Sequence, residues 1–369
     1  MKFTCSQQAL SKALLTVSKA VTSKTTIPIL KGILLKATAN GELVLSASDF
    51  DISVEKKITD VNVTTEGSVV VLSKLFTDII RKLPNEDIFI EQIEDNSLII
   101  KTSKSEFTIL GLSPEEFPQI GEVEEEDKLV FEKDFFREMI RKSSFSASID
   151  ESKGVIVGVL IEIEENNTNM IALDGFRMAV VREEIKSEKQ NKIIIPAKIL
   201  NEINKILSET EETNDITLIL SAKKAMLLFE NVKIVIRLLE GEFIKYKDIL
   251  PSENKCKVKV SKVLLHEAMD RASLLSREGK NNLIRFTIND ELLTITSRSE
   301  EGNVKEEIPI SKEGNDIEIG FNSKYILDVL KVLDDEEIVI ELVSSVKPCI
   351  IKPVEGNGYE YLVLPVRIS

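Results

Sequence analysis

Few side chains in this sequence could do covalent or metal chemistry. One histidine, His266, and three cysteines, Cys5, Cys256 and Cys349, are scattered through 369 residues. No two cysteines form a C-x-x-C pair, so their spacing suggests neither a zinc site nor a disulfide framework. Carboxylates alone can build a catalytic site, and Asp49-Phe50-Asp51 sets two of them close together. That pair follows the strand-like run 43–48 and reads as a polar strand end, with no histidine or metal motif beside it. There is no Walker loop, no G-x-G-x-x-G and no H-E-x-x-H. Gly356-Asn357-Gly358 lies between two strand-like runs and reads as a hairpin turn. Neither a metal nor an organic cofactor is expected.

The length predicts two or three domains, since single cores rarely grow beyond about 300 residues. Hydrophobic residues at 43% and charged residues at 30% suit a globular protein. No run approaches the roughly eighteen apolar residues of a membrane helix, and Met1-Lys2-Phe3-Thr4 opens no basic-then-apolar leader. The expectation is a cytoplasmic chain without a membrane partner.

Three segments open alike, with a short strand followed by an amphipathic helix. From origins at Phe3, Leu129 and Val258, offset seven holds Leu10, Phe136 and Leu265, offset ten Ala13, Met139 and Ala268, and offset eleven Leu14, Ile140 and Met269. That i, i+3, i+4 spacing is one buried helix face. A second block starts at Val71, Ile195 and Phe321, and at offset twelve all three copies have leucine: Leu83, Leu207 and Leu333. Its polar face repeats too, with Asp78, Glu202 and Asp328 three residues before Arg81, Lys205 and Lys331, the spacing of helical ion pairs. Alternating strands follow each second helix, at 87–92, 97–102 and 106–111, then 215–221, 224–230 and 232–238, then 337–343, 349–353 and 359–365. Their period-two pattern predicts antiparallel meanders. Polar stretches at 121–127 and 251–255 separate domains at 1–122, 128–251 and 255–369. The fold class is α+β: three similar domains of antiparallel sheet with two helices each.

Charge is unevenly spread. The chain carries a net charge of -14, which by itself argues against a nucleic-acid partner. The six helical windows, 6–22, 73–83, 132–145, 196–209, 261–278 and 322–333, hold sixteen Lys and Arg against ten Asp and Glu, so they are positive in an acidic chain. On one surface they would form a track for a phosphate backbone; scattered, they would be ordinary solvated helix faces.

Several local sequences resemble one family: Ile27-Pro28-Ile29-Leu30, Glu116-Phe117-Pro118, Leu173-Asp174-Gly175-Phe176-Arg177-Met178-Ala179, Ile319-Gly320-Phe321-Asn322 with Tyr325, and the closing Leu364-Pro365-Val366-Arg367. In order and spacing over the whole chain, the sequence resembles the bacterial sliding clamp, the β subunit of DNA polymerase III. The resemblance implies the DNA clamp fold, closing as a head-to-tail dimer ring around duplex DNA, and a processivity factor rather than an enzyme. It also implies partners: a homodimer mate, double-stranded DNA without sequence preference, the replicative polymerase, the clamp loader and other carriers of short clamp-binding peptides. Two competing classes are a carboxylate- or magnesium-dependent hydrolase, which fits the acidic bias but not the threefold repeat, and an acidic protein-binding scaffold. A DNA-retention measurement separates the clamp from both.

The same resemblance assigns residues. Peptide binding maps to Ile156, Leu173, Gly175, Phe176, Arg177, Met178, Ile249, Asn322, Tyr325, Val346, Pro348, Leu362, Val363, Leu364, Pro365, Val366 and Arg367. Ile156 and Val363 read equally well as core strand residues. The family often has histidine where Phe176 stands, proline at Ile244 and a base at Asp248, and Ser369 extends the usual end. Candidates for DNA contact are Lys12, Lys19, Lys24, Lys74, Arg81, Lys82, Arg137, Arg141, Lys142, Lys153, Lys198, Lys205, Arg271, Arg277, Lys324 and Lys331. At the dimer contact, Phe107 and Ile109 would face Leu274 and Leu275, with Lys74 near Glu300 and Glu301.

Overall fold

The computed structural model describes the chain apart from Ser23, Glu125, Glu126, residues 186–189, Glu211, Glu212 and Ser369, and apart from the side chains of Asp95 and Lys280. Two details of the sequence reading thus lie outside the described residues: part of the acidic stretch at 121–127, and the extra terminal Ser369.

Six α-helices are present among the described residues: α1 (Gln7–Ser18), α2 (Ser73–Lys82), α3 (Lys133–Ser143), α4 (Ala197–Ser208), α5 (Lys262–Glu278) and α6 (Ser323–Val332). Each begins where a strand stops, at Lys2–Ser6, Gly67–Leu72, Asp127–Glu132, Asn191–Pro196, Cys256–Ser261 and Ile317–Asn322. The repeated apolar positions are the buried faces: Leu10, Ala13, Leu14 and Val17 on α1, and Leu265, Ala268, Met269 and Ala272 on α5. That spacing keeps one stripe of each helix on the sheet.

After every helix comes a three-stranded meander, and the pairings among the described residues are antiparallel. The third strands decide how the sheets join. Ile52–Ile58, third after α1, pairs with Val232–Arg237, third after α4, with Val54 opposite Ile234. Arg177–Glu183, third after α3, pairs with Tyr359–Val363, third after α6, with Met178 opposite Leu362. These joints create an eight-stranded and a nine-stranded sheet. Five-stranded and four-stranded sheets remain, in which Glu106–Ile109, third after α2, and Gly302–Pro309, third after α5, are edge strands.

Because the sheets cross the repeat boundaries, the three repeats group into two compact units. One comprises Met1–Asp134 with Lys205–Leu238, the other Phe135–Asn204 with Leu239–Ser369. The carboxylate pair at the end of strand Leu43–Ser48 holds a turn: Asp49 Oδ1 accepts from the backbone N–H of Asp51 at 3.1 Å and of Ile52 at 2.9 Å, while Phe50 takes φ 74°. All three cysteines are buried, and burial, with Asp87 nearby, pushes the Cys5 thiol up to about 12. No helix among the described residues is long and apolar enough to cross a membrane.

Candidate functional site

The residues assigned to peptide binding all belong to the second compact unit, and Ile156, Leu173, Met178, Leu362 and Leu364 come together beside the seam between Arg177–Glu183 and Tyr359–Val363. Strand alternation sends Met178, Leu362 and Leu364 to one face. There Met178 and Leu362 join Leu160, Ile171, Leu173, Val180, Ile194, Tyr246 and Ile350 in a buried cluster, with Val155, Ile156, Leu239, Phe243, Leu250 and Leu364 packed against it and partly exposed. Phe176, Ile249 and Val346 are 53%, 41% and 69% exposed. Exposed apolar side chains in the same unit as a dry floor are the kinds of group that hydrophobic anchors of a short peptide would use. Val363 lies on the other face, fully buried against Cys349 and Arg177 in the ladder, and serves the core.

Beyond the last strand the chain is stitched by alternate residues. Leu364 N–H donates to the Phe176 carbonyl at 2.9 Å and Val366 N–H to the Gly320 carbonyl at 2.8 Å. Pro365, which has no N–H to donate, falls between them. Gly320 is required by this approach, since a Cβ there would stand 2.8 Å from the Val366 carbonyl oxygen. Pro348 and Val366 are half-buried, and Arg367 is exposed.

Arg177 organises the loop that enters its strand. Asp174 Oδ1 accepts from the N–H groups of Phe176 at 2.8 Å and Arg177 at 3.0 Å, while exposed Gly175 turns through φ 95°. The guanidinium donates to Asp174 Oδ2 at 3.0 Å, to Asp328 Oδ2 at 2.7 Å and to the Phe145 carbonyl at 2.9 Å. It also lies 4.9 Å from the ring of Tyr325, which stacks with Phe176 at 6.2 Å and 18°. Lys153 stands 5.9 Å from the Phe176 ring, completing an aromatic and cationic row. Asn322 caps α6, its Oδ1 accepting from Lys324 N–H at 3.0 Å.

Sequence reasoning missed Tyr246, Ile350, Phe243, Leu250 and Glu162 here. Only Glu162 left a signal, as an acid inside the apolar run Gly158–Ile163, where every residue is buried. The helical ion-pair spacing needs one qualification. Arg81 meets Asp78 at 3.1 Å, whereas Lys331 stands 3.8 Å from Asp328, whose shorter partner is Arg177.

The basic candidates divide by environment. Lys12, Lys24, Lys74, Lys82, Lys153, Lys198, Arg277 and Lys324 are exposed and make no ion pair among the described residues. Lys19 meets Glu209 at 3.3 Å and Arg271 meets Glu306 at 2.7 Å. Arg141 and Lys142 share Glu138 and Asp334. Arg137 is half-buried and Lys205 exposed.

Sequence models of three domain families match consecutive stretches: DNA polymerase III beta subunit N-terminal domain at 1–121, central domain at 130–245 and C-terminal domain at 247–367. The chain belongs to the DNA polymerase III beta subunit family. The beta sliding clamp of Staphylococcus epidermidis is 35% identical over 377 aligned residues, covering 100% of this chain and 99% of that one. Crystal structures of a putative beta subunit from Eubacterium rectale and of the sliding clamp from Bacillus subtilis are similar over the whole of both chains, each with a TM-score of 0.95, at 36% and 31% identity. The fold is the three-domain α+β clamp fold, and the function is that of a non-catalytic DNA sliding clamp. Membership sets aside both the hydrolase and the scaffold without DNA.

Of this clamp's candidate dimer residues, Phe107 is 39% and Leu274 63% exposed, while Ile109 is at 9% and Leu275 is half-buried. Lys74, Glu300 and Glu301 are exposed. Phe107 and Ile109 lie on the edge strand Glu106–Ile109, and Leu274 and Leu275 on α5.

Proposed function

We propose that two copies of this clamp close head to tail into a ring around duplex DNA, and that the apolar seam in the second compact unit receives short peptides from the replicative polymerase, the clamp loader and other DNA-processing proteins. The observation that carries the ring is the pairing of third strands. Four of the six meanders are already joined in antiparallel pairs, after α1 with after α4 and after α3 with after α6. The remaining two, after α2 and after α5, end in the edge strands Glu106–Ile109 and Gly302–Pro309. Pairing them between copies repeats the same joint and removes two exposed sheet edges. A heterologous contact of this kind, repeated twice, closes a ring rather than a filament.

The domains of the ring are read as 1–122, 128–251 and 255–369, with the six helices of each copy toward the DNA. Their unpaired lysines supply sequence-independent phosphate contacts, and the acidic remainder repels DNA elsewhere. A clamp acting on replicating DNA would work in the cytoplasm, at the nucleoid. At the seam, a peptide with leucine and phenylalanine anchors covering ~300 Å² of apolar surface gains roughly 7 kcal/mol gross, which ordering costs reduce to about micromolar affinity. The ring is tested by light scattering: a dimer near twice 41.4 kDa is expected, and a stable monomer at micromolar concentration overturns it.

A further inference from the structure

The segment that carries Ile249 and Leu250 is weakly held by its own backbone. Residues 243–250 form a single 3-10 turn, Tyr246–Asp248, and belong to no sheet. Their backbone bonds are local: Tyr246 to Ile244, Asp248 to Lys245 and Ile249 to Tyr246. Among the described residues, the long-range polar ties of this segment all run to two acids, Glu162 and Glu164.

Glu162 is 2% exposed, an unusual place for a carboxylate without partners. It faces the same side of the sheet as Leu160, two residues before it, and so borders the apolar cluster. In the ladder it stands opposite Asn169 on one side and Lys192 on the other. Its Oε1 meets Lys192 Nζ at 2.8 Å, and its Oε2 accepts from Tyr246 OH at 2.6 Å and from Asn169 Nδ2 at 3.4 Å, with Lys247 Nζ 3.5 Å away. Tyr246 therefore spans two neighbouring strips of the sheet, its ring in the apolar cluster and its hydroxyl on the buried acid.

We infer that Glu162 is a positioning residue for peptide capture: through the Tyr246 hydroxyl it latches the 243–250 turn, and with it the wall formed by Phe243, Ile249 and Leu250, against the floor at Met178 and Leu362. The inference rests on the groove reading above and goes beyond it, since Glu162 itself is buried and meets no peptide. Two features favour a latch over simple core packing. The bond joins a turn without sheet pairing to a strand paired on both sides, and a charged acceptor makes it a strong bond to a single hydroxyl. A turn released from it would sample open positions, and apparent affinity falls by the fraction of time the wall is out of place.

The test uses the full-length clamp and a fluorescein-labelled peptide with leucine and phenylalanine anchors, read by fluorescence polarisation beside amide hydrogen exchange over 243–250. Tyr246→Phe keeps the ring and removes only the hydroxyl; Glu162→Gln removes the charge. Each should weaken binding about fivefold and quicken exchange in 243–250, and the double variant should be no weaker than either single, because the two act as one unit. A merely structural contribution would lower the melting temperature and leave affinity and exchange in 243–250 at wild-type values, and that result overturns the latch. Losses that simply add would overturn it too. Val346→Asp, on the exposed rim, is the control for the groove. If it abolishes binding while Tyr246→Phe and Glu162→Gln bind normally, only the latch fails; if it binds like wild type, the groove reading fails and takes the latch with it.

Discussion

Arg177 sits in a strand ladder opposite Val363, yet its guanidinium bonds two acids and a carbonyl and lies against Tyr325. The family resemblance assigns it to peptide binding; in the folded chain three of its donors tie the loop at Asp174 to Asp328 on α6 and to the Phe145 carbonyl. Removing it would strand Asp174 and Asp328 in a half-buried site, so Arg177→Met should cost about 3–5 kcal/mol of stability, seen as a lower midpoint in urea. Met178 is similarly placed, at 2% exposure. Met178→Lys should therefore unfold its unit rather than report on peptides, whereas Val346→Asp should change the melting temperature little while weakening peptide binding at least tenfold. Glu162 adds a pH signature. Burial raises its carboxyl, but the bonds from Lys192 and Tyr246 and the charge of Lys247 outweigh that and hold it below the usual glutamate range. A depressed carboxyl stabilises fully above its unfolded range and loses that contribution as pH falls through its folded value. The stability gap between wild type and Glu162→Gln, measured by thermal unfolding, should thus narrow from pH 7 to pH 3.5.

At the scale of elements, much was legible because three copies could be laid over one another. Helix windows and meander strands fell within a few residues of the observed ones, and 87–92 and 349–353 matched the strands Asp87–Gln92 and Cys349–Pro353. What stayed hidden was how strands of different domains pair. Gly158–Ile163 and Thr168–Leu173 are buried at every position, so no period-two pattern marks which face meets what. For the site, the apolar strand end and Phe176 were legible, whereas Tyr246 and Glu162 meet across 84 residues and carry no local spacing to betray them. The open edges make a prediction at this scale. Leu274 is 63% exposed on α5, and if the proposed ring forms, Leu274→Lys should shift it toward monomer in sedimentation, with helix content by circular dichroism unchanged. The helix faces make another. Replacing the unpaired Lys12, Lys198 and Lys324 with alanine should weaken DNA binding and flatten its dependence on salt by up to about three phosphate contacts. Arg271, already held by Glu306, should matter less when replaced.

For the whole molecule, the charge arithmetic and the topology point the same way. In a chain of net charge -14 the acidic remainder opposes DNA, and the few unpaired lysines are expected to give a weak, salt-sensitive grip. On the proposed ring, retention comes from encirclement, which lets the protein stay on its template without gripping it. That makes the shape of the DNA, rather than its sequence or affinity, the decisive variable. The most direct measurement loads the clamp with its ATP-driven loader onto a nicked circular plasmid, separates bound from free protein by gel filtration at physiological salt, and repeats the separation after a single restriction cut. The account predicts that clamp co-elutes with the circle and is lost once the DNA is linear. Equal retention on cut and uncut DNA would contradict it.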